Sequence, residues 1–181
     1  MILKNQKSKS EKILELETRK RIYYIIKKYA GCHFREIQRK SKISHGTLKY
    51  NLNFLVKHDL ILEQKENNSL YYFPKNFQTE KTKLLSHLRQ KPTRNIILFI
   101  TLNQNCIHSE IVRFVGSSPS TVSWHLVKLI NARIINAQKD GQKTKYSLAI
   151  NGEEIIKLLI IYKESFLDAL VNRTIEMWEL K

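Results

Sequence analysis

Between Ser44 and Leu62, and again between Ser118 and Asn136, apolar residues recur at helical spacing and leave one polar face over. Leu48, Leu52 and Leu55 form the apolar stripe of the first stretch; Val122, Leu126 and Leu129 form that of the second. Ser44 and Ser118 stand where an N-cap hydroxyl is wanted. The opposite face carries Gly46, Lys49, Tyr50, Asn53 and Lys57 in the first helix, and Ser120, Ser123, Trp124 and Lys128 in the second.

The flanking pattern repeats as well. Thr18 is placed to cap a helix that gathers Ile22, Ile25, Ile26 and Tyr29 on one face and stops at Gly31. Phe34–Lys40 then predicts a short helix with Phe34 and Ile37 inward, followed by a turn over 41–44. Ile61–Lys65 and Leu70–Phe73, around Glu66-Asn67-Asn68-Ser69, predict a hairpin. Glu11–Glu17 is open between a short strand and an extra helical turn. An offset of 74 positions carries Cys32 onto Cys106, Glu36 onto Glu110, Thr47 onto Thr121, Leu52 onto Leu126 and Tyr72 onto Tyr146 without a gap. In the second copy the hairpin turns at Asp140-Gly141, a pair that readily takes the positive φ angles of a tight turn.

Each copy is a helix-turn-helix followed by a hairpin wing, long enough to enclose its own core. The chain is therefore expected to be mostly α with small β wings (α+β): residues 1–76 and 92–150 are two tandem winged helix-turn-helix domains. Residues 77–91 are a connecting helix with Leu84, Leu85 and Leu88 as its stripe, ended at Lys91-Pro92. Residues 151–181 open on a capping box at Asn151–Glu154 and run on as one long helix of about 28 residues, roughly 42 Å. That helix has two apolar stripes. Ile155, Leu159, Tyr162, Phe166 and Leu170 make one, and Ile156, Ile160, Leu167, Val171, Ile175 and Trp178 make the other. The second stripe is assigned to a homodimer interface; the competing reading buries both stripes within one chain.

Charge adds a partner to this picture. The 32 basic and 16 acidic residues give a net charge of +16. Residues 1–80 hold +9 of it, residues 81–150 another +9, and residues 151–181 carry −2. The positive field belongs to the two modules, as a polyanionic ligand requires. Two cysteines do not make a disulfide framework, no stretch has the length of a membrane span or a signal peptide, and a reducing cytoplasm is the expected compartment.

A basic helix with short polar side chains on its open face suits the major groove of double-stranded DNA. His45, Gly46, Thr47, Lys49, Tyr50, Asn53 and Lys57 are the candidates in the first module; Pro119, Ser120, Thr121, Ser123, Trp124 and Lys128 are those in the second. Asn53 suits adenine, and Lys49 suits guanine or phosphate. Tyr50 and Trp124 either touch thymine methyls and sugars or pack on a wing or a partner. Lys65, Asn67 and Asn68 of the first wing, with Lys139, Lys143 and Lys145 of the second, are placed for the backbone. The histidines and cysteines lack the spacing of a metal site, so no metal or cofactor is expected. No nucleophile–base set or phosphate-binding glycine loop is present, which argues against an enzyme.

Gly31-Cys-His-Phe-Arg-Glu-Ile37 with Gly46-Thr-Leu-Lys-Tyr-Asn-Leu52, and Ser118-Pro-Ser-Thr-Val-Ser-Trp-His-Leu126 with Asp140-Gly141, resemble the archaeal winged helix-turn-helix transcriptional regulators of the ArsR/MarR type. Residues 162–170 also look like that group's closing helix. The resemblance implies a homodimeric, nucleoid-associated DNA-binding regulator that blocks or recruits the transcription machinery. The paired cysteine motif of the metal-sensing members is missing. Two other functions fit a tandem winged helix: bridging of protein partners, and sequence-indifferent coating of chromatin.

Overall fold

The computed structural model describes residues 9–66, 69–166 and 169–179. The chain divides into two compact units, 1–82 and 83–181.

In the first unit, α1 (Lys9–Ile13) precedes α2 (Glu17–Lys28), β1 (Cys32–His33), α3 (Phe34–Ser41), α4 (His45–Lys57), β2 (Ile61–Glu66) and β3 (Ser69–Pro74). The strands form an antiparallel sheet in the order β1-β3-β2, with Cys32 opposite Tyr72 and Leu62 opposite Phe73. Ile22 and Ile26 of α2, Ile37 of α3, Leu48, Leu52 and Leu55 of α4, and Ile61 of β2 meet in one core. The open question over Glu11–Glu17 resolves as helix over Lys9–Ile13, whose Ile13 reaches that core. The cap of α2 differs from expectation. Leu16 is the N-cap residue and makes no side-chain cap bond, so Thr18 lies inside the first turn.

The second unit repeats the plan with α6 (Lys91–Leu102), β4 (Cys106–Ile107), α7 (His108–Val115), α8 (Pro119–Asn131), β5 (Ile135–Asp140) and β6 (Lys143–Leu148), its sheet ordered β4-β6-β5. From α2 to β3, the limits of every element recur 74 residues later. The tight turns recur too. Left-handed backbone falls at Gly31 and Asn105, at Lys42 and Gly116, and at Asp59 and Arg133, the same offset each time. What repeats is the turn, not its residue. Gly116 has φ +68 with nothing near a built Cβ, so Gly116→Ala is expected to cost about 1–2 kcal/mol purely from backbone strain. Urea unfolding monitored in the second unit checks this, and Gly141, at φ +59 in the hairpin turn, is bound by the same argument.

α5 (Thr79–Arg89) is more than a spacer. Leu84, Leu85, Ser86, His87 and Leu88 are all buried, and the division between the units falls within this helix after Thr82. Its last turn is stitched to α6: the Thr93 hydroxyl donates to the His87 carbonyl at 2.6 Å, and the Arg94 guanidinium to the Leu88 carbonyl at 2.9 Å.

The single long C-terminal helix is not formed. Among the described residues it is replaced by α9 (Gly152–Ile161), α10 (Lys163–Phe166) and α11 (Ala169–Glu179). α9 stops at Tyr162, whose backbone N–H still reaches the Leu158 carbonyl. α11 then packs on α9 and α6. The physical reason is the doubled apolar pattern: a straight rod would leave one stripe in water, whereas folding back buries residues of both. Ile156, Val171 and Ile175, assigned above to a dimer interface, are buried in their own unit together with Ile155, Leu159 and Phe166. Trp178 is half-buried, Ile160 remains exposed, and Leu167 lies outside the described residues. The fold-back brings Trp178 against the start of α9, where a Cβ on Gly152 would fall 2.5 Å from the indole ring. Gly152→Ala is therefore expected to cost about 1–3 kcal/mol by overpacking, with a change in Trp178 fluorescence; an unchanged spectrum and midpoint would contradict the fold-back.

Candidate nucleic-acid interface

Helix α4 starts because Ser44 accepts the Thr47 N–H at 3.4 Å and donates its own hydroxyl hydrogen to the Thr47 Oγ1 at 2.8 Å. Thr47 thus has a capping role whatever else it touches. Burying Leu48, Asn51, Leu52 and Leu55 turns the other face outward, and His45, Gly46, Thr47, Lys49, Tyr50, Asn53 and Lys57 are all exposed. Tyr50 is 63 % exposed, the geometry of a contact residue rather than a core one. His45 also stacks on Phe34 at 4.7 Å.

The pose of α4 depends on Arg19, which the periodicity did not single out. Its guanidinium lies 3.7 Å over the Phe54 ring and donates to the Asn51 Oδ1 at 3.3 Å, while the Asn51 amide donates to the Thr47 carbonyl. A polar Asn51 among apolar core positions was the available signal, since a buried amide needs partners. Lys65 is exposed on the first wing; Asn67 and Asn68 lie outside the described residues.

Helix α8 repeats the cap with a denser hydroxyl cluster. Ser118 Oγ accepts the Thr121 N–H at 3.2 Å and bonds the hydroxyls of Ser120 at 3.1 Å and Thr121 at 2.8 Å. Pro119 occupies the first turn, where its missing N–H is harmless. Ser123 is exposed but bonded to His108 Nε2 at 2.9 Å. Trp124 is 59 % exposed and carries the Lys128 ammonium 4.3 Å over its ring. Val127, which takes the place of Asn53, is 55 % exposed and was not foreseen as a surface residue. The outward face of α8 is thus less basic and more apolar than that of α4.

On the second wing, Lys139, Lys143 and Lys145 are exposed. Lys145 bonds Asp140 at 2.6 Å, and this hydrogen bond and charge hold the Asp140 carboxyl below its ordinary range. The pair therefore persists as pH falls past the usual carboxylate pKa and is lost only below it. Asp140→Asn releases Lys145, so the salt slope of DNA binding should steepen by about one unit, read by fluorescence anisotropy across salt concentrations. An unchanged slope would remove this wing from the phosphates.

Cys32 and Cys106 are buried, and desolvation, reinforced by Glu110, pushes the Cys106 thiol up to about 11. Among the described residues no group of three or more His, Cys, Asp or Glu could hold an ion.

Residues 16–85 match a family model described as an N-terminal HTH domain, and residues 91–137 match that of the bacterial regulatory proteins of the arsR family. The chain carries two helix-turn-helix domains in tandem. Such domains are DNA-binding rather than catalytic. The chain is 29% identical over 147 residues to the "Uncharacterized HTH-type transcriptional regulator MJ1398" of Methanocaldococcus jannaschii, covering 81% of its own length and 36% of that relative. It thus spans about a third of that archaeal protein. Two solved structures show only distant likeness: the DIP2311 protein from Corynebacterium diphtheriae (12% identity, TM-score 0.31, 76% of this chain and 27% of that one), and human N-acetylserotonin methyltransferase in complex with SAM (7%, 0.28, 72% and 44%). Among the described residues, no helix is long and apolar enough to cross a membrane.

Proposed function

We propose that this tandem helix-turn-helix regulator controls transcription as a homodimer that reads double-stranded DNA by sequence. The observation that carries the reading is the outward face of α4. Lys49, Tyr50, Asn53 and Lys57 line one exposed side of a helix whose other side is locked by Arg19 and the core. A rigid helix with an amide and two ammonium groups meets the requirements of major-groove readout. Asn53 reads a base edge, Lys49 and Lys57 hold the flanking phosphates, and Lys65, Lys139 and Lys143 bind backbone without selecting sequence.

The dimer uses the surface left after the C-terminal helices have buried their own stripes. Ile160 and Ile161, at the end of α9, are 50 % and 68 % exposed, and two copies joined there would fix a half-site spacing. Occupancy of a promoter then blocks or recruits the transcription machinery in the cytoplasm. One observation favours a different use of the second module. Trp124 and Val127 make the α8 face suited to protein contact, in line with a bridging role for that module alone.

The test pairs two variants in quantitative mobility shifts. Asn53→Ala is expected to relax preference at one base position by about 1–3 kcal/mol while leaving random DNA unaffected. Lys143→Ala is expected to weaken all sequences alike and to flatten the salt slope by about one unit. Identical uniform losses from both would refute base reading by α4.

A further inference from the structure

The two modules share their backbone turns, yet a helix side that the second covers is left open in the first. Leu16, at the N-cap of α2, and Lys20, Arg21, Tyr24, Lys27 and Lys28 within it share one side of the helix and are all exposed. Carried by 74 positions they become Gln90, Arg94, Asn95, Leu98, Thr101 and Leu102, none of which is exposed. The preceding helix is common to both modules, since α1 at the same offset falls on residues 83–87 of α5. What the second module adds is its C-terminal segment. There α11 packs on α6, Leu98 is fully buried, and the Arg94 guanidinium lies 5.6 Å from the centre of the Phe166 ring of α10.

The exchanges between the modules describe an occupant for the open side. Where the second has Leu98, Thr101 and Leu102, the first has Tyr24, Lys27 and Lys28. Tyr24 is 56 % exposed and Leu16 49 %, two anchors about two helical turns apart with Lys20 between them. Four cations surround them against one acid on that side, Glu17, whose carboxylate lies 3.9 Å from the Lys20 ammonium. A second copy of the same face is therefore repelled. Phosphate has no use for the apolar pair, whereas an amphipathic helix seats its stripe on such anchors. The cover over α6 is itself helical and comes from residues 151–181, the one part of the chain with a net negative charge. Charge and shape thus select the same partner, a helix with an apolar stripe and acidic flanks.

We propose that this side of α2 docks an acidic amphipathic helix of a partner protein, anchored on Leu16 and Tyr24 and flanked by Lys20, Arg21, Lys27 and Lys28. The first unit then carries a protein-docking surface on α2 besides the open face of α4. The docking is independent of base reading by α4.

A synthetic peptide of about 18 residues, long enough to hold a helix, with Leu and Phe along one stripe and Glu on both flanks, is titrated into the full chain and followed by ¹H–¹⁵N correlation spectra. Its counterpart carries Gln in place of every Glu, and a short random-sequence duplex serves as the competing polyanion. The expected result is saturable shifts confined to residues 16–28, with the Gln peptide binding about tenfold more weakly. Tyr24→Ala should weaken the acidic peptide about tenfold, as loss of a central aromatic anchor does, and Lys20→Glu with Lys27→Glu by at least as much. Arg35→Glu with Arg39→Glu, the same change of charge at exposed positions of α3, should alter it by less than about twofold. All these positions are exposed, so dispersed spectra are retained. Absence of saturable binding, shifts that spread to α4 and the wing, or equal losses from the two double variants would overturn the proposal, the last by reducing it to attraction toward the general positive charge. Shifts at residues 16–28 from the duplex, lost in Lys20→Glu with Lys27→Glu, would assign this side to nucleic acid and overturn it equally.

Discussion

Replacing Phe73 by alanine is expected to destabilise the first unit by about 3–5 kcal/mol, a large share of the stability of an ordinary domain. Phe73 is fully buried although it lies in β3, half of a hairpin whose partner strand carries exposed Lys65 one residue before its end. It stacks on Phe77 at 5.0 Å, and its strand neighbour Tyr72 is buried so well that desolvation, with Glu63 adding to it, raises the phenol pKa. The wing is thus two things along one hairpin. Its base closes the core through Ile61 and Tyr72, and Lys65 and Leu70 farther along are exposed. Urea unfolding should show the loss in Phe73→Ala, whereas Lys65→Ala, nearer the tip, should leave the midpoint within about 0.5 kcal/mol. Equal effects would mean that the hairpin is not built into the core.

Leu85→Ala is the second large effect, about 2–5 kcal/mol. A helix serving only as a spacer would tolerate alanine, since alanine is the best helix former. Leu85 is fully buried in α5, among five consecutive buried residues, and the hydrogen bonds from Thr93 and Arg94 tie the end of α5 to α6. Moreover, His87 of α5 bears on the buried His125 of α8, whose pKa is lowered first by desolvation, then by Lys128 and by His87. Hydrogen exchange resolved by segment is the direct check. Faster exchange in α6 and α8 of Leu85→Ala is expected, and a loss confined to α5 itself would return that helix to the role of a linker.

The legible part of this protein is the part that repeats. Leu48, Leu52 and Leu55, with Val122, Leu126 and Leu129, declared two helices with one open face each through periodicity, and a gap-free offset then carried the neighbouring elements with them. The left-handed turns were only partly visible. Gly31 and Gly116 announced theirs, but Lys42, Asp59, Asn105 and Arg133 adopt the same backbone without a glycine, because the surrounding packing dictates the turn and the side chain tolerates it. Thr18 misled because a hydroxyl near a helix start need not be its cap. The C-terminal segment misled for a different reason. Apolar spacing alone does not say whether two stripes face a partner or face each other, and the turn at Tyr162 has no proline or glycine to mark it. Exposure of the α4 face followed from its core pattern, whereas the Arg19 clamp depends on a contact 32 residues away that no local pattern contains.

The measurement that bears most directly on the central claim is selection from a random-sequence duplex pool at about 150 mM salt, followed by sequencing of the bound fraction. At that ionic strength non-specific affinity has largely faded as counterions compete for phosphate. An enriched motif with two-fold symmetry that loses one base preference in Asn53→Ala is the expected result. Retention of DNA with no enriched sequence, or no retention at all, would contradict it.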